Sequence, residues 1–134
     1  MARRPRVFDS WALMAFLEDE PSAEKVEELI AKAQDAEAPL LITTVNLGEI
    51  WYSLARSRSE SDADTAVAHL VRLGFEVIDA DWELARQAAA FKARFKLAYA
   101  DCFAAALAKL KRSEVVTGDR EFKQLEDEVK IYWV

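Results

Sequence analysis

The chain has 134 residues with 18 basic and 24 acidic side chains, so its net charge is −6, and its length predicts one domain over residues 1–134. Its 52% hydrophobic and 31% charged residues are typical of a globular protein rather than a disordered one. One cysteine, one histidine and three glycines exclude an internal disulfide, a cysteine-based or multi-histidine metal site and a glycine-rich phosphate loop.

The first half of the chain alternates short apolar segments with helical patterns. Each apolar segment has about four residues, is β-branched or aromatic and is bounded by turn signals, which is typical of a buried strand. Ser22, which follows Pro21, is the expected N-cap of the second helix. In chain order, the predicted elements are a strand at 6–8, helices at 10–17 and 22–34, a strand at 40–44 and a helix at 45–57.

The second half continues the alternation. Gly74 marks the end of one helix, and Asp81 is the expected N-cap of the next. The predicted elements are a helix at 62–73, a strand at 76–78, helices at 82–95 and 100–111, a strand at 114–116, a short helix at 120–126 and a strand at 130–133. Strands that alternate with helices predict an α/β fold with a parallel sheet of about five strands, covered by helices on both faces.

The chain carries no sign of a membrane or export segment. No apolar run reaches the length of about 18 residues that a membrane-spanning helix requires. The start is basic at Arg3, Arg4 and Arg6, but the apolar run that follows is too short for a signal peptide. We therefore expect a cytoplasmic protein.

Four acidic residues differ from the other twenty because apolar side chains flank them. They are Asp9, Glu49, Asp101 and Asp119. The remaining acids lie in polar runs that are typical of solvated helix faces and loops. A carboxylate in apolar surroundings costs free energy unless it is paired or bound to a metal.

The predicted elements bring these four acids toward one edge of the sheet. Asp9 and Asp119 each follow a strand, Glu49 lies near the start of the helix after the second strand, and Asp101 lies in the first turn of its helix. Ligands of open α/β sheets bind outside the carboxyl ends of the strands. Helix capping remains an alternative for the three aspartates, and Asp79 also follows a strand, although we interpret it with Asp81 as a turn and cap.

A group of carboxylates without histidine offers oxygen ligands to a hard cation. Such ligands suit Mg²⁺ or Mn²⁺. A divalent cation at a sheet edge supports phosphoryl chemistry by activating water and by clamping the scissile phosphate. The pattern therefore favours a metal-dependent enzyme that acts on phosphodiester bonds.

Four segments of the sequence resemble the PIN-domain family, and more narrowly the VapC-type toxins of toxin–antitoxin pairs. They are VFDS at 7–10, TVNLGE at 44–49, YADCFAAALA at 99–108 and TGDREF at 117–122. The resemblance covers almost the whole chain. It depends on the order and spacing of the segments, because each alone is weakly specific.

The resemblance implies a PIN-like three-layer sandwich and a Mg²⁺- or Mn²⁺-dependent endoribonuclease. It also implies an antitoxin partner and a homodimer. Asp9, Glu49, Asp101 and Asp119 match the acidic quartet of the family, with Asp9 and Asp101 as its most usual metal ligands. Three further residues match supporting positions at the same site: Thr117, Ser10 and Asn46.

Two features depart from the family pattern. Trp11 stands where many relatives carry a small residue, and the net charge of −6 is low for a protein that cleaves RNA. A basic strip at Lys92, Arg94 and Lys96 leads toward Asp101 and is a candidate path for RNA, although a solvated helix face explains it as well. Further basic residues occur at Lys109, Lys111 and Arg112.

Alternatives to a nuclease remain open from the sequence. One alternative is a PIN-like module that only binds RNA or protein. Metal-dependent RNA cleavage would distinguish an enzyme from such a module. A receiver-type phosphoacceptor would place its aspartate at Asp79, but no lysine follows a suitable strand. A haloacid-dehalogenase phosphatase would require an aspartate two residues after Asp9, where Trp11 stands.

Overall fold

A computed structural model describes residues 4–134, so Met1, Ala2 and Arg3 of the basic start lie outside the described residues. Five parallel strands form one sheet in the order β3-β2-β1-β4-β5. The strands are β1 (Arg6–Phe8), β2 (Leu40–Thr43), β3 (Phe75–Ile78), β4 (Glu114–Thr117) and β5 (Lys130–Trp133).

Six α-helices and one 3₁₀ helix connect the strands. They are α1 (Ser10–Leu17), α2 (Ala23–Asp35), α3 (Thr44–Ser57), α4 (Glu60–Arg72), α5 (Trp82–Arg94), α6 (Tyr99–Leu110) and the 3₁₀ helix (Arg120–Leu125). Among the described residues, none of these helices is long and apolar enough to cross a bilayer.

Helices cover both faces of the sheet, which confirms the predicted three-layer α/β architecture. Successive strand residues point to opposite faces, so Val7 packs with α5 and α6, whereas Phe8 packs with α1 to α4. The same alternation occurs on β4, where Val115 packs in the core with α5 and α6, and Val116 packs in the core with α1 to α4. The sheet therefore holds the starts of helices from both layers at its carboxyl edge.

The predicted element bounds differ from the structure by one or two residues at several ends. Thr43 and Ser59 accept hydrogen bonds from backbone N–H groups in the first turns of α3 and α4, so α3 begins at Thr44 and α4 at Glu60. Ser22 occupies the N-cap position of α2, but its side chain makes no capping hydrogen bond. Gly74 has a φ of 104°, which explains why α4 ends just before it.

Candidate functional site

The strand order reverses between β1 and β4, and the carboxyl ends of these two strands form the candidate site. β1 lies in the centre, with β2 on one side and β4 on the other. Asp9 follows β1 directly, and Asp119 follows β4 after Gly118. A crevice at such a reversal is the usual ligand position in open α/β sheets.

Asp9 is fully buried, with both carboxylate oxygens engaged. Its Oδ1 accepts a hydrogen bond from the Ala12 N–H at 2.8 Å, which caps α1, and its Oδ2 accepts one from the Thr117 hydroxyl at 2.5 Å. The pKa of Asp9 is raised to about 8, mainly by burial and to a smaller extent by the charges of Asp101 and Asp119, whereas both hydrogen bonds lower it. Asp9 therefore caps α1 and is also a carboxylate whose ionised form is destabilised, mainly by burial.

Asp101 lies close to Asp119 and to a third acid, Glu121. One carboxylate oxygen from each of the three lies within 4.8 Å of the others. Asp101 stands in the first turn of α6, whose N-cap position is occupied by Ala98, so the capping interpretation of Asp101 is wrong. The pKa of Asp101 is raised to about 7, mainly by burial and to a smaller extent by the charges of Asp119, Glu49 and Glu121.

Asp119 caps the 3₁₀ helix and also contributes to the acidic cluster. Its Oδ1 accepts a hydrogen bond from the Glu121 N–H at 3.0 Å. Capping and participation in the cluster are thus combined in one residue. The turn that Asp119 caps carries Glu121 to the same edge, and sequence reasoning missed Glu121 because it stands in a polar segment beside Arg120.

Glu49 lies at the side of the cluster. It occupies the second turn of α3, near the start of the helix as expected, and it is half-buried. Its charge contributes to the raised pKa of Asp101. The group of three oxygens within 4.8 Å does not include Glu49.

Thr117 connects the two strand ends of the site. Its hydroxyl donates to Asp9 Oδ2 and accepts a hydrogen bond from the Asp119 N–H at 3.0 Å. It is fully buried at the last position of β4. A single hydroxyl therefore fixes the position of Asp9 relative to the turn that carries Asp119.

Asn46 connects three helices beneath the cluster. Its buried side-chain amide donates to the Ala100 carbonyl at 3.0 Å and to the Ser10 hydroxyl at 3.2 Å, and its Oδ1 accepts from Thr43 at 2.5 Å. The Ser10 hydroxyl donates in turn to the Asn46 carbonyl at 3.2 Å. Since Ala100 directly precedes Asp101, this network holds the start of α6 against α1 and α3.

Trp11 covers Gly118 at the edge of the site. The indole ring occupies the space that a Cβ on Gly118 would need, so this position requires glycine unless the ring moves. Trp11 is 40% exposed, and it lies two residues after Asp9. The indole ring of Trp11 therefore forms part of the wall of the site beside Asp119.

Two residues of the basic strip at Lys92, Arg94 and Lys96 already form contacts within the fold. Lys92 donates to the Leu97 carbonyl at 2.8 Å, and Arg94 forms an ion pair with Glu128 at 2.6 Å. The side chain of Lys96 is exposed, while its backbone bonds to Gln124. Of the three residues expected to contact RNA, only Lys96 forms no side-chain hydrogen bond or ion pair with another described residue.

The acids of the cluster have no neutralising partner among residues 4–134. None of the ion pairs within this part of the chain includes Asp9, Glu49, Asp101, Asp119 or Glu121. Close carboxylates without a cation repel one another, and the raised pKa values of Asp9 and Asp101 have this cause in addition to burial. The oxygen donors fit a hard divalent cation such as Mg²⁺ or Mn²⁺.

Comparison with known proteins gives one family and a consistent set of folds. The family model of the PIN domain matches residues 6–128. No curated protein sequence matches the chain.

Several solved structures share the fold at low sequence identity. DNA-bound VapBC from Salmonella typhimurium superposes with a TM-score of 0.76 and 17% identity over 98% of both chains. VapBC2 from Rickettsia felis, bound to a promoter DNA fragment, gives 0.74 and 16%, over 97% of this chain and 98% of the other. VapC20 from Mycobacterium tuberculosis, described as a toxin that cleaves the sarcin–ricin loop, gives 0.68 and 18%, over 90% of this chain and 93% of the other.

Proposed function

Because the chain belongs to the PIN-domain family, we propose that it is a divalent-metal-dependent endoribonuclease and the toxin of a toxin–antitoxin pair. The observation that carries this proposal is the convergence of Asp9, Asp101 and Asp119 at the carboxyl edge of β1 and β4, where the charge of Asp119 contributes to the raised pKa values of Asp9 and Asp101. The neighbouring fold of a toxin that cleaves the sarcin–ricin loop supports RNA as the substrate.

We assign the cation to Asp9, Asp101, Asp119 and Glu49, and Glu121 is a further candidate ligand because its carboxylate lies within 4.8 Å of those of Asp101 and Asp119. Mg²⁺ or Mn²⁺, when bound, supplies activation of a water molecule and neutralisation of charge on the scissile phosphate. Asp101 and Asp119 have carboxylate oxygens within 4.8 Å of each other. The carboxylate of Asp9 is coupled electrostatically to Asp101 and Asp119, and hydrogen bonds from Ala12 and Thr117 fix its position.

The surrounding residues keep these carboxylates in place through the reaction. Thr117 holds Asp9 beside the Asp119 turn, and Asn46 with Ser10 holds the start of α6. The raised pKa values mean that Asp9 and Asp101 carry protons near neutral pH without a cation. Binding of a cation releases those protons, because the ligand form of a carboxylate is the ionised one.

Metal-dependent cleavage by the wild-type protein tests the proposal. We expect cleavage of a sarcin–ricin stem-loop RNA or of messenger RNA in Mg²⁺ or Mn²⁺, and no cleavage after addition of EDTA. Gel analysis of labelled RNA provides the measurement. Cleavage that persists in EDTA would remove the metal from the mechanism, and RNA binding without cleavage in either metal would favour the alternative of a PIN-like binding module.

Asp119→Ala separates the two roles of this residue through stability. If Asp119 acts mainly as a metal ligand, the variant should lose most of the increase in melting temperature that Mn²⁺ gives the wild type. If it acts only as a cap, the variant should lose about 0.5–2 kcal/mol equally with and without metal. Melting curves in EDTA and in Mn²⁺ distinguish these results, and Asp119→Asn is the control that keeps the cap.

The proposed partner is an antitoxin whose basic residue enters the cluster. Solved relatives of this fold include toxin–antitoxin complexes from Klebsiella pneumoniae and Haemophilus influenzae. An arginine from such a partner would pair with the free carboxylates of Asp101 and Asp119 and thereby block cation binding. We propose that the toxin and its antitoxin are cytoplasmic, in agreement with an RNA substrate.

We also propose a homodimer through α3 and α4. These helices pack on each other and leave large side chains exposed, with Tyr52 45% exposed on α3 and Val71 52% exposed on α4. We expect light scattering at high protein concentration to give twice the chain mass of 15.2 kDa. A monomer of the wild type at all concentrations would contradict this interface, whereas dissociation of a dimer by Tyr52→Glu would support it.

A further inference from the structure

A cavity lies at the edge of the sheet opposite the acidic cluster. Its volume is about 1190 Å³, and its lining includes none of the five clustered acids. Arg6, Glu114 and Lys130 line it, and these are the first residues of β1, β4 and β5. The cavity is therefore at the amino ends of strands whose carboxyl ends form the candidate active site.

The lining of this cavity is strongly basic. Six basic residues face two acidic ones, Glu114 and Glu128, which leaves four positive charges on a chain whose net charge is −6. The basic residues are Arg4, Arg6, Lys32, Lys109, Arg112 and Lys130. One third of the 18 basic residues of the chain thus surround one cavity.

Half of these cations are already paired and half are not. Arg6 pairs with Glu114 at 2.8 Å, Lys109 with Glu128 at 3.7 Å and Lys130 with Glu114 at 3.8 Å. The other three form no ion pair with any residue between 4 and 134; they are Arg4, Lys32 and Arg112. The cavity therefore has spare positive charge for an anion.

The floor of the cavity is apolar. Pro5, Ala36 and Ala38 line it, and each retains exposed surface. Ser113 also belongs to the wall, and its buried hydroxyl has no hydrogen-bond partner within the described residues. Charged residues around an apolar floor suit a ligand that has a flat apolar body and an anionic group.

Helix geometry explains only some of the basic residues. Lys32 and Lys109 stand in the last turns of α2 and α6, where a cation stabilises the helix dipole without any ligand. Arg4, Arg6 and Lys130 have no such role, because they lie on the strand side of the cavity. Glu114 accounts for the positions of Arg6 and Lys130, so the observation that indicates a ligand is that Arg4, Lys32 and Arg112, which form no ion pair within residues 4–134, line the same cavity.

We propose that this cavity binds a nucleoside phosphate. Its phosphates contact Arg4, Lys32 and Arg112, and its base lies on the floor of Pro5, Ala36 and Ala38. The volume of about 1190 Å³ is sufficient for one nucleotide, since ligand pockets usually have about 300–1,000 Å³. The phosphate is held by side-chain cations, in agreement with the absence of a glycine-rich loop. This site does not depend on the proposed nuclease activity.

Titration calorimetry with adenosine triphosphate tests the site, performed in EDTA so that no metal bridges the nucleotide to the acidic cluster. We expect a dissociation constant below about 1 mM for the wild type. Lys32→Glu/Arg112→Glu should weaken binding at least tenfold, and the neutral pair Lys32→Gln/Arg112→Gln should weaken it less. The control Lys25→Glu/Arg72→Glu makes the same charge change at exposed positions outside the cavity and should leave binding within twofold.

Two further ligands identify what the cavity recognises. Inorganic triphosphate should bind more weakly than adenosine triphosphate, because it cannot use the apolar floor. Competition by a 5′-phosphorylated RNA decamer, and not by its 5′-hydroxyl form, would support the same site with an RNA end as the source of the nucleotide. The proposal is overturned if the wild type binds no adenosine triphosphate, if both charge-reversed pairs weaken binding equally, or if inorganic triphosphate binds as tightly as the nucleotide.

Discussion

Asp101→Asn is expected to lower metal-dependent RNA cleavage by at least about 100-fold, because loss of a cation ligand removes several kcal/mol of transition-state stabilisation and each 1.4 kcal/mol corresponds to a factor of ten. Asparagine keeps the volume of the side chain, and Asp101 caps no helix, so the fold should be unaffected. Initial rates on labelled RNA in Mn²⁺ and circular dichroism together provide the measurement. Asp9→Asn should have an effect of the same order.

A matched control exists in Asp127→Asn. Asp127 is exposed and makes no hydrogen bond or ion pair within the described residues, so this variant makes the same chemical change outside the site. It should retain the wild-type rate. Full activity of Asp9→Asn and Asp101→Asn together would refute the assignment of these carboxylates.

The apo protein is expected to lose stability as the pH rises from about 4 to 8. The pKa of Asp9 is raised from 3.8 to about 8 and that of Asp101 from 3.8 to about 7. The folded state therefore binds more protons than the unfolded state between pH 4 and 8, so the free energy of unfolding falls as the pH rises through this window. One pKa unit corresponds to about 1.4 kcal/mol, so we expect the free energy of unfolding to fall by at least about 2 kcal/mol. This loss would lower the Tm by roughly 5–10 °C.

Melting curves in EDTA across this pH window measure the effect. The double variant Asp9→Asn/Asp101→Asn should show a much smaller dependence on pH, because its amides do not titrate. Saturating Mn²⁺ should restore the stability of the wild type at pH 8, since the cation binds the ionised carboxylates of the folded state. An identical pH dependence of wild type and double variant would show that these two residues are not its source.

The fold was predictable because its signals are local. Each strand is a short β-branched or aromatic segment between turn signals, and Asp81 and Gly74 mark helix ends by their ordinary capping roles. The positions of Asp9 and Asp119 followed from the same reasoning, because a residue directly after a parallel strand must lie at the carboxyl edge of the sheet. For these elements, local sequence and tertiary structure agree.

The features that were not predicted depend on contacts between distant segments. Glu121 joins the cluster only because the 3₁₀ turn after Asp119 points it back, which a polar segment does not reveal. The contact of Trp11 with Gly118 joins residues more than one hundred positions apart. The basic cavity likewise collects side chains from both ends of the chain, so no local pattern indicates it.

The most direct test of the central claim is a crystal structure with Mn²⁺, in which the anomalous scattering of manganese locates the ion. We expect an anomalous peak beside the carboxylates of Asp101 and Asp119, at distances of about 2.0–2.3 Å from their oxygens, and loss of that peak in Asp101→Asn. A site that stays empty at millimolar Mn²⁺, or a peak found only at other carboxylates, would contradict the assignment of the acidic cluster as the metal centre.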